Sequence, residues 1–374
     1  MILADQGAEV IKVEPPGLGD IVRYLGASRA GVSAMFANAN RGKRSIALNV
    51  KDPRGLEVFT DLIRGADVLV ENFRPGASER LGIDEPAMRA VNPKLIYVSL
   101  TGFGATGPRA HHRVYDNVIQ GYSGMTAVQG DPQTGRPEIV RQLVCDKVTA
   151  LTTAQAITAA LLARANGQGG QRLDIAMLDA AVAFLWPDGM MNETLVGDDV
   201  PPAMSVANAY RITQTADGWA TAIPLSDAEF TGMCRALDLP ELAEDPRYAT
   251  VVDRMGTIED WARVVQERVR QLPTTEVVAR LQAAEVPSAA LLTPKEVPSD
   301  EQVVHNELVD ERDDPTVGRL RQPRPAARFG TTAAQGDGAV PALGQHTDEI
   351  LAELGRDPAA IASLRDAGVV SSPS

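Results

Sequence analysis

Asp146 stands near the start of LVCDKVTALTTAQAITAALLAR (143–164), a stretch almost without charge apart from Asp146 and Lys147 at its beginning. A carboxylate opening a quiet apolar helix admits two readings. As an N-cap it accepts a backbone N–H and contributes about 1 kcal/mol. As a nucleophile it must be ionised and held in place, and the positive end of a helix favours the ionised form. The readings are compatible, because capping would itself prepare the carboxylate for covalent work. Three other segments carry polar chemistry. TGFGATG (101–107) matches GxGxxG after a strand, but Pro108 and RAHHR follow instead of an amphipathic helix, which favours a glycine-rich turn over a dinucleotide site. VENFRPGASERLG (70–82) places Asn72, Phe73 and Arg80 around a strand-to-helix turn. That turn suits either a nucleotide-like anion or an ordinary βα loop with a solvated arginine. Arg41, Lys43 and Arg44 form either a phosphate clamp or a solvated charge run.

The elements that must position these residues alternate. Strands are expected at 8–14, 44–50, 67–73, 94–104 and 171–178. Helices are expected at 52–66, with Asp52 as cap and Pro53 in first position, at 83–91, from Asp146 onward and after Asp179. Strands separated by helices of this length predict a parallel α/β sheet, Rossmann-like, with right-handed crossovers. Residues 196–208 look like a linker. Beyond it, strands at 218–224 and 286–294 and helices near 226–237, 258–271 and 274–285 predict a smaller α+β domain. The expected division is 1–195 for the first part of the large domain, 196–325 for linker and small domain, and 326–374 for a C-terminal segment returning to the large one. The last segment carries two capped helices.

Bulk properties narrow the class. A chain of 374 residues with 44% hydrophobic and 23% charged residues is globular and long enough for two domains. A net charge of −13 argues against general binding to nucleic acid or an anionic membrane surface. Cys145 and Cys234 are the only cysteines, so neither a disulfide framework nor a thiolate metal site is supported, and a cytoplasmic location fits. No HExxH occurs, and no metal is expected. The apolar stretch near 150–163 is short and studded with Thr and Gln, which predicts no membrane span, and the start shows no signal-peptide pattern. The chain opens on a helix-like MILADQGA that runs into a strand, where a parallel sheet would place a strand first.

Many blocks in this order resemble the family III CoA-transferases, the formyl-CoA transferase and L-carnitine CoA-transferase family. They are LADQGAEVIKVEPPGLGD, NRGKRSIALNV, DVLVENFRPGASERLGI, LIYVSLTGFGATGP, VYDNVIQGYSGM, the CD before the long helix, GGQRLDIAMLDAAVA and LGQHTDEIL, spread over nearly the whole chain. The resemblance implies that CoA moves from an acyl-CoA donor to a carboxylic acid, with Asp146 forming first a mixed anhydride and then an aspartyl-CoA thioester. Coenzyme A and acyl-CoA enter as substrates, and no permanently bound cofactor is implied. It assigns the CoA pocket to Lys43, Arg44, Leu48, Asn72, Phe73, Arg80, Leu81, Arg113 and Tyr115. It also implies an intertwined homodimer and one further strand ahead of Met1. The family's glycine-rich loop over an oxalate site has no match near AIPLSDAEF (222–230), so specificity for oxalate and formate is not expected.

Rival readings remain. An acyl-CoA racemase of the α-methylacyl type shares the fold, but racemisation needs a base on each face of the α-carbon. Tyr115 stands where that group carries a histidine, and His112 lies three residues away. A non-catalytic CoA-binding homologue is the second rival. An oxidoreductase resting on TGFGATG is the third.

Overall fold

The structure, a computed structural model, describes residues 1–131, 134–201, 203, 210–332, 334 and 336–373. The chain forms two compact units. One comprises Met1–Gly124, Ile139–Val182 and Asp300–Ser374, and the other Met125–Glu138 and Ala183–Ser299.

The first unit carries the alternating half of the sequence. Strands β1 (Val10–Glu14) and β2 (Lys43–Leu48) pair in parallel, and Val370–Ser371 adds to β2 from the other side, antiparallel. Strands β3 (Val68–Glu71), β4 (Ile96–Thr101) and β5 (Arg172–Ala176) pair in parallel in that order. The expected parallel sheet is therefore realised as two three-stranded sheets, one of them closed by an antiparallel edge.

The helix Pro53–Gly65 shows how sequence makes local structure here. Asp52 accepts the Arg54 N–H, and Pro53 takes the first position, where its missing N–H costs nothing. Val58, Phe59 and Ile63 recur along one face and are buried with Ile46, Leu48, Leu95 and Tyr97. Each such side chain stabilises the fold by about 1.5–3 kcal/mol. Position 55 must be glycine, since a Cβ there would lie 2.0 Å from the Asn49 carbonyl oxygen.

Packing accounts for the unit boundary. The hairpin Val309–Asp314/Gly318–Pro323, expected in the small domain, belongs to the first unit. Val317 and Leu320 pack with Val32, Phe36, Ala37 and Val340, and the Pro323 carbonyl accepts from Arg41. The first unit thus takes up the chain again at Asp300, after segments that end at Gly124 and Val182. Most of the expected linker lies outside the described residues.

The second unit has the expected α+β character. Ile212–Gln214, Trp219–Ala222 and Ser288–Ala290 form an antiparallel sheet. Helices Asp227–Ala236, Ile258–Val269 and Thr274–Ala283 enclose Phe230, Met233, Trp261, Val277 and Leu281.

The quiet helix of the first unit runs Val144–Ala163 and continues as a wider turn through Gln168. Over these 25 residues it is long and apolar enough, by length and composition, to cross a membrane, which corrects the expectation of a stretch too short. Ile157 and Ala160 pack it against Ile96 and Val98 of β4, so one face covers the parallel sheet.

Candidate active site

β4 and β5 are parallel neighbours, so the helix between them runs back antiparallel and begins at the strands' C-terminal edge. The loop after β3, the loop after β4 and the helix start all fall on that edge. In open α/β sheets this is where ligands bind.

Asp146 occupies the third position of the helix. It does not cap it: Leu143 is the N-cap residue, and no side chain of its own segment closes the turn. The cap comes from another helix, Asp116–Tyr122. Asp116, 4% exposed, accepts the Asp146 N–H on Oδ2 at 3.0 Å. The other oxygen, Oδ1, accepts from Gln120 Nε2 at 2.6 Å. Gln120, 1% exposed, also donates to the Val140 carbonyl and accepts the Val140 N–H at 2.9 Å. A buried carboxylate and a buried amide therefore pin both the helix start and the strand of chain leading into it.

The Asp146 side chain is exposed, and among the described residues nothing hydrogen-bonds or ion-pairs with it. Partial shielding from water, then repulsion by Asp116, raises its pKa above the ordinary carboxylate value, while Lys147 pulls the other way. The expectation that the helix end governs this carboxylate is thus reversed in direction. A raised pKa makes the ionised form a better nucleophile. The adjacent thiol is no competitor. Cys145 is fully buried and pushed up to about 12 by burial, then by Asp116 and Asp146, so it stays protonated. The amides of Val144 and Asp146 are already bonded to the Gln142 carbonyl and to Asp116, so neither is available to an oxyanion.

The predicted CoA residues divide. Asn72, Phe73 and Arg80 are exposed around the turn after β3, where the Glu71 carboxylate accepts the Phe73 N–H at 2.7 Å. Gly76, at φ +81°, lets the chain turn beneath the Arg80 guanidinium. Leu81 is half-buried against the core. Arg113 and Tyr115 are exposed in the loop leading to Asp116, with Tyr115 81% exposed. Around them Phe103 packs edge-on to Tyr122 at 5.1 Å, and Arg109 lies 4.8 Å over the Tyr122 ring.

The other three are committed to the fold. Arg44 is bonded to Glu9 and Glu353 and paired with Glu349. Lys43 donates to Asn40 Oδ1 at 2.9 Å, and burial, then Lys12, lowers it to about 8. Leu48 is 2% exposed inside the core. Arg41 is held by both oxygens of buried Asp5. Each cation of the expected phosphate clamp thus has a partner within the chain, and those of Arg44 are invisible in the sequence because Glu349 and Glu353 lie some 300 positions away. Thr101 ends β4 and residues 102–107 form an irregular, bent loop, in which Gly102 admits Val114, whose Cγ1 would lie 2.2 Å from a Cβ there. The dinucleotide reading fails on that geometry.

Asp116 and Gln120 escaped the sequence reading. Their four-residue spacing puts both on one helix face, but nothing local shows what that face meets. Among the described residues no group of three or more His, Cys, Asp and Glu side chains is placed to hold a metal ion. A cavity of about 490 Å³ lined by Arg312, Arg324, Arg328 and Phe329 does not include Asp146, which opens on the surface of its unit.

An α/β fold presenting an unpaired, anchored carboxylate at the edge of a parallel sheet has the features that nucleophilic group transfer requires. Comparison with known proteins narrows the class. The model of CoA-transferase family III matches residues 1–347. The human succinyl-CoA:glutarate CoA-transferase is 34% identical, over 99% of this chain and 85% of its own. The Agrobacterium fabrum succinate–glutarate CoA-transferase is 34% identical, over 94% of this chain and 90% of its own. A CAIB/BAIF family protein from Brucella suis superposes with a TM-score of 0.82 at 32% identity, covering 94% of this chain and 93% of that one. The chain belongs to CoA-transferase family III and is a CoA-transferase.

Proposed function

We propose that this enzyme moves CoA between two carboxylic acids through covalent intermediates on Asp146. A carboxylate oxygen of Asp146 attacks the thioester carbonyl of the donor, the C–S bond breaks, and CoA leaves as thiolate from a mixed anhydride. The thiolate then attacks the aspartyl carbonyl and expels the donor acid as carboxylate, leaving an aspartyl-CoA thioester. The acceptor carboxylate attacks that thioester and releases the thiolate once more. Attack of the thiolate on the acceptor's acyl carbon yields the new acyl-CoA and restores Asp146. Charge is conserved at each step, and no proton or water is consumed. One hard transfer becomes four exchanges between activated carboxyl groups.

The single observation behind this reading is an exposed, unpaired carboxylate on a fixed backbone at the ligand-binding edge. Asn72, Phe73, Arg80, Arg113 and Tyr115 share that edge and are assigned to CoA. The relatives named for succinyl-CoA and glutarate support a dicarboxylic acid as donor and acceptor. Racemisation is disfavoured because the residue before Asp116 is Tyr115 rather than a second base. A homodimer is proposed on the family resemblance, with the exposed Leu151 and Leu162 of the long helix as part of its apolar face. The unpaired, buried Cys145 and Cys234 suit a reducing cytoplasm.

The test is to incubate the enzyme with succinyl-CoA, trap with hydroxylamine and map the modified peptide. A hydroxamate at Asp146 is expected. Exchange of the α-proton without any adduct would establish the racemase instead.

A further inference from the structure

We propose that Asp116 is the positioning residue of Asp146: its buried carboxylate fixes the reactive residue's backbone from outside the helix and sets a negative charge beside it, while Gln120 holds Asp116 in register. The proposal rests on the reading of Asp146 as nucleophile.

Three observations carry it. The helix lacks a cap of its own, and the one side chain that closes its first turn bonds the amide of the reactive residue itself. Among the described residues Asp116 has no cation partner; its oxygens are satisfied by the Asp146 amide and by neutral Gln120. A buried carboxylate without a cation keeps its field unscreened, and that field reaches Asp146. Finally, the Gln120 amide pairs in both directions with the peptide of Val140 and reaches the Gln142 carbonyl, so the same frame sets the path into the helix. The charged groups acting on Asp146 are Asp116 from the neighbouring helix and Lys147 from its own; the Cys145 thiol stays neutral.

The sign of the effect is fixed. Removing the charge of Asp116 lowers the pKa of Asp146, so the acid limb of adduct formation moves to lower pH. Asp116→Asn keeps the size and one acceptor oxygen. Its expected signature is an acid limb moved to lower pH and adduct formation slower by about tenfold, with KM for acyl-CoA unchanged. Gln120→Ala should slow the reaction while leaving the acid limb in place. An Asp116→Asn enzyme with an unmoved acid limb and an unchanged rate overturns the proposal alone. Absence of the adduct in the wild-type enzyme overturns the nucleophile reading and this proposal with it. If Asp116→Asn does not fold, carboxyl-¹³C titration of the wild type, assigned with Asp146→Asn, decides. Asp146 titrating at or below the ordinary carboxylate value overturns the proposal, and a value above it whose titration is coupled to that of a second carboxyl, absent in Asp146→Asn, supports it.

Discussion

Glu14 and Asp146 are both acids of the first unit, and their surroundings push them in opposite directions. Glu14 ends β1 with 2% exposure, and its carboxylate takes Arg23 at 2.9 and 2.8 Å, Ser45 Oγ at 2.8 Å and the Asp20 N–H. Burial alone would raise it, but the hydrogen bonds and charge of Arg23, with Ser45, outweigh burial and hold it below the ordinary range. Asp146 has none of these partners among the described residues, and partial shielding from water, then the charge of Asp116, raises it against the pull of Lys147. One carboxylate is saturated and stabilises the fold. The other is left unsatisfied, which suits it to react. Divergent environments for two like groups mark which one does chemistry.

The comparison can be broken most sharply at Asp146. Asp146→Asn should lower CoA transfer by about a thousandfold or more, because the nucleophile is lost, while CoA binding and the far-UV spectrum stay as they are. Steady-state assays with succinyl-CoA check this. Glu14→Ala should do the reverse. It leaves buried Arg23 without its partner and costs about 3–5 kcal/mol, read from urea unfolding, while activity per folded molecule is retained.

The CoA residues sharpen the same contrast between free and committed groups. Arg113→Ala should raise KM for acyl-CoA by about tenfold, a loss typical of one charged contact. Arg44→Ala should leave KM unchanged, since that guanidinium already serves Glu9 and Glu353. A KM effect at Arg44 and none at Arg113 would reverse the assignment.

Two smaller effects concern pH. Glu14 has a folded pKa below its unfolded value of 4.5, so its stabilisation is fully present above that value. It is lost as pH falls through the lower folded pKa, and Glu14→Ala should flatten this part of the acid-unfolding profile. Asp146, raised in the fold, opposes folding once ionised. Asp146→Asn should therefore stabilise the protein at pH 7 by a few tenths of a kcal/mol, small because the exposed group is screened by solvent. Thermal unfolding at pH 7 and pH 4 reads both.

Local signals carried the outline of the fold. The Asp52-Pro53 start, the alternation of strands and helices, and the change of character in the second half need only neighbours in sequence. Asp146 was legible because a lone acid in an apolar helix is chemically conspicuous. Its partner Asp116 was not, because the bond joins residues 30 apart through packing of two helices. The ion pairs of Arg44 were hidden for the same reason: a cation's partners are chosen in space, and Glu353 comes from the far end of the chain.

By itself, then, the order of residues determined the elements, their parallel arrangement and the acid at the head of the long helix, since periodicity and capping act over a few positions. Tertiary structure decided which charges are neutralised and which stay available. That decision belongs to it because the free energy of a carboxylate depends on water, hydrogen bonds and other charges within a few ångströms, and only the folded chain sets those distances.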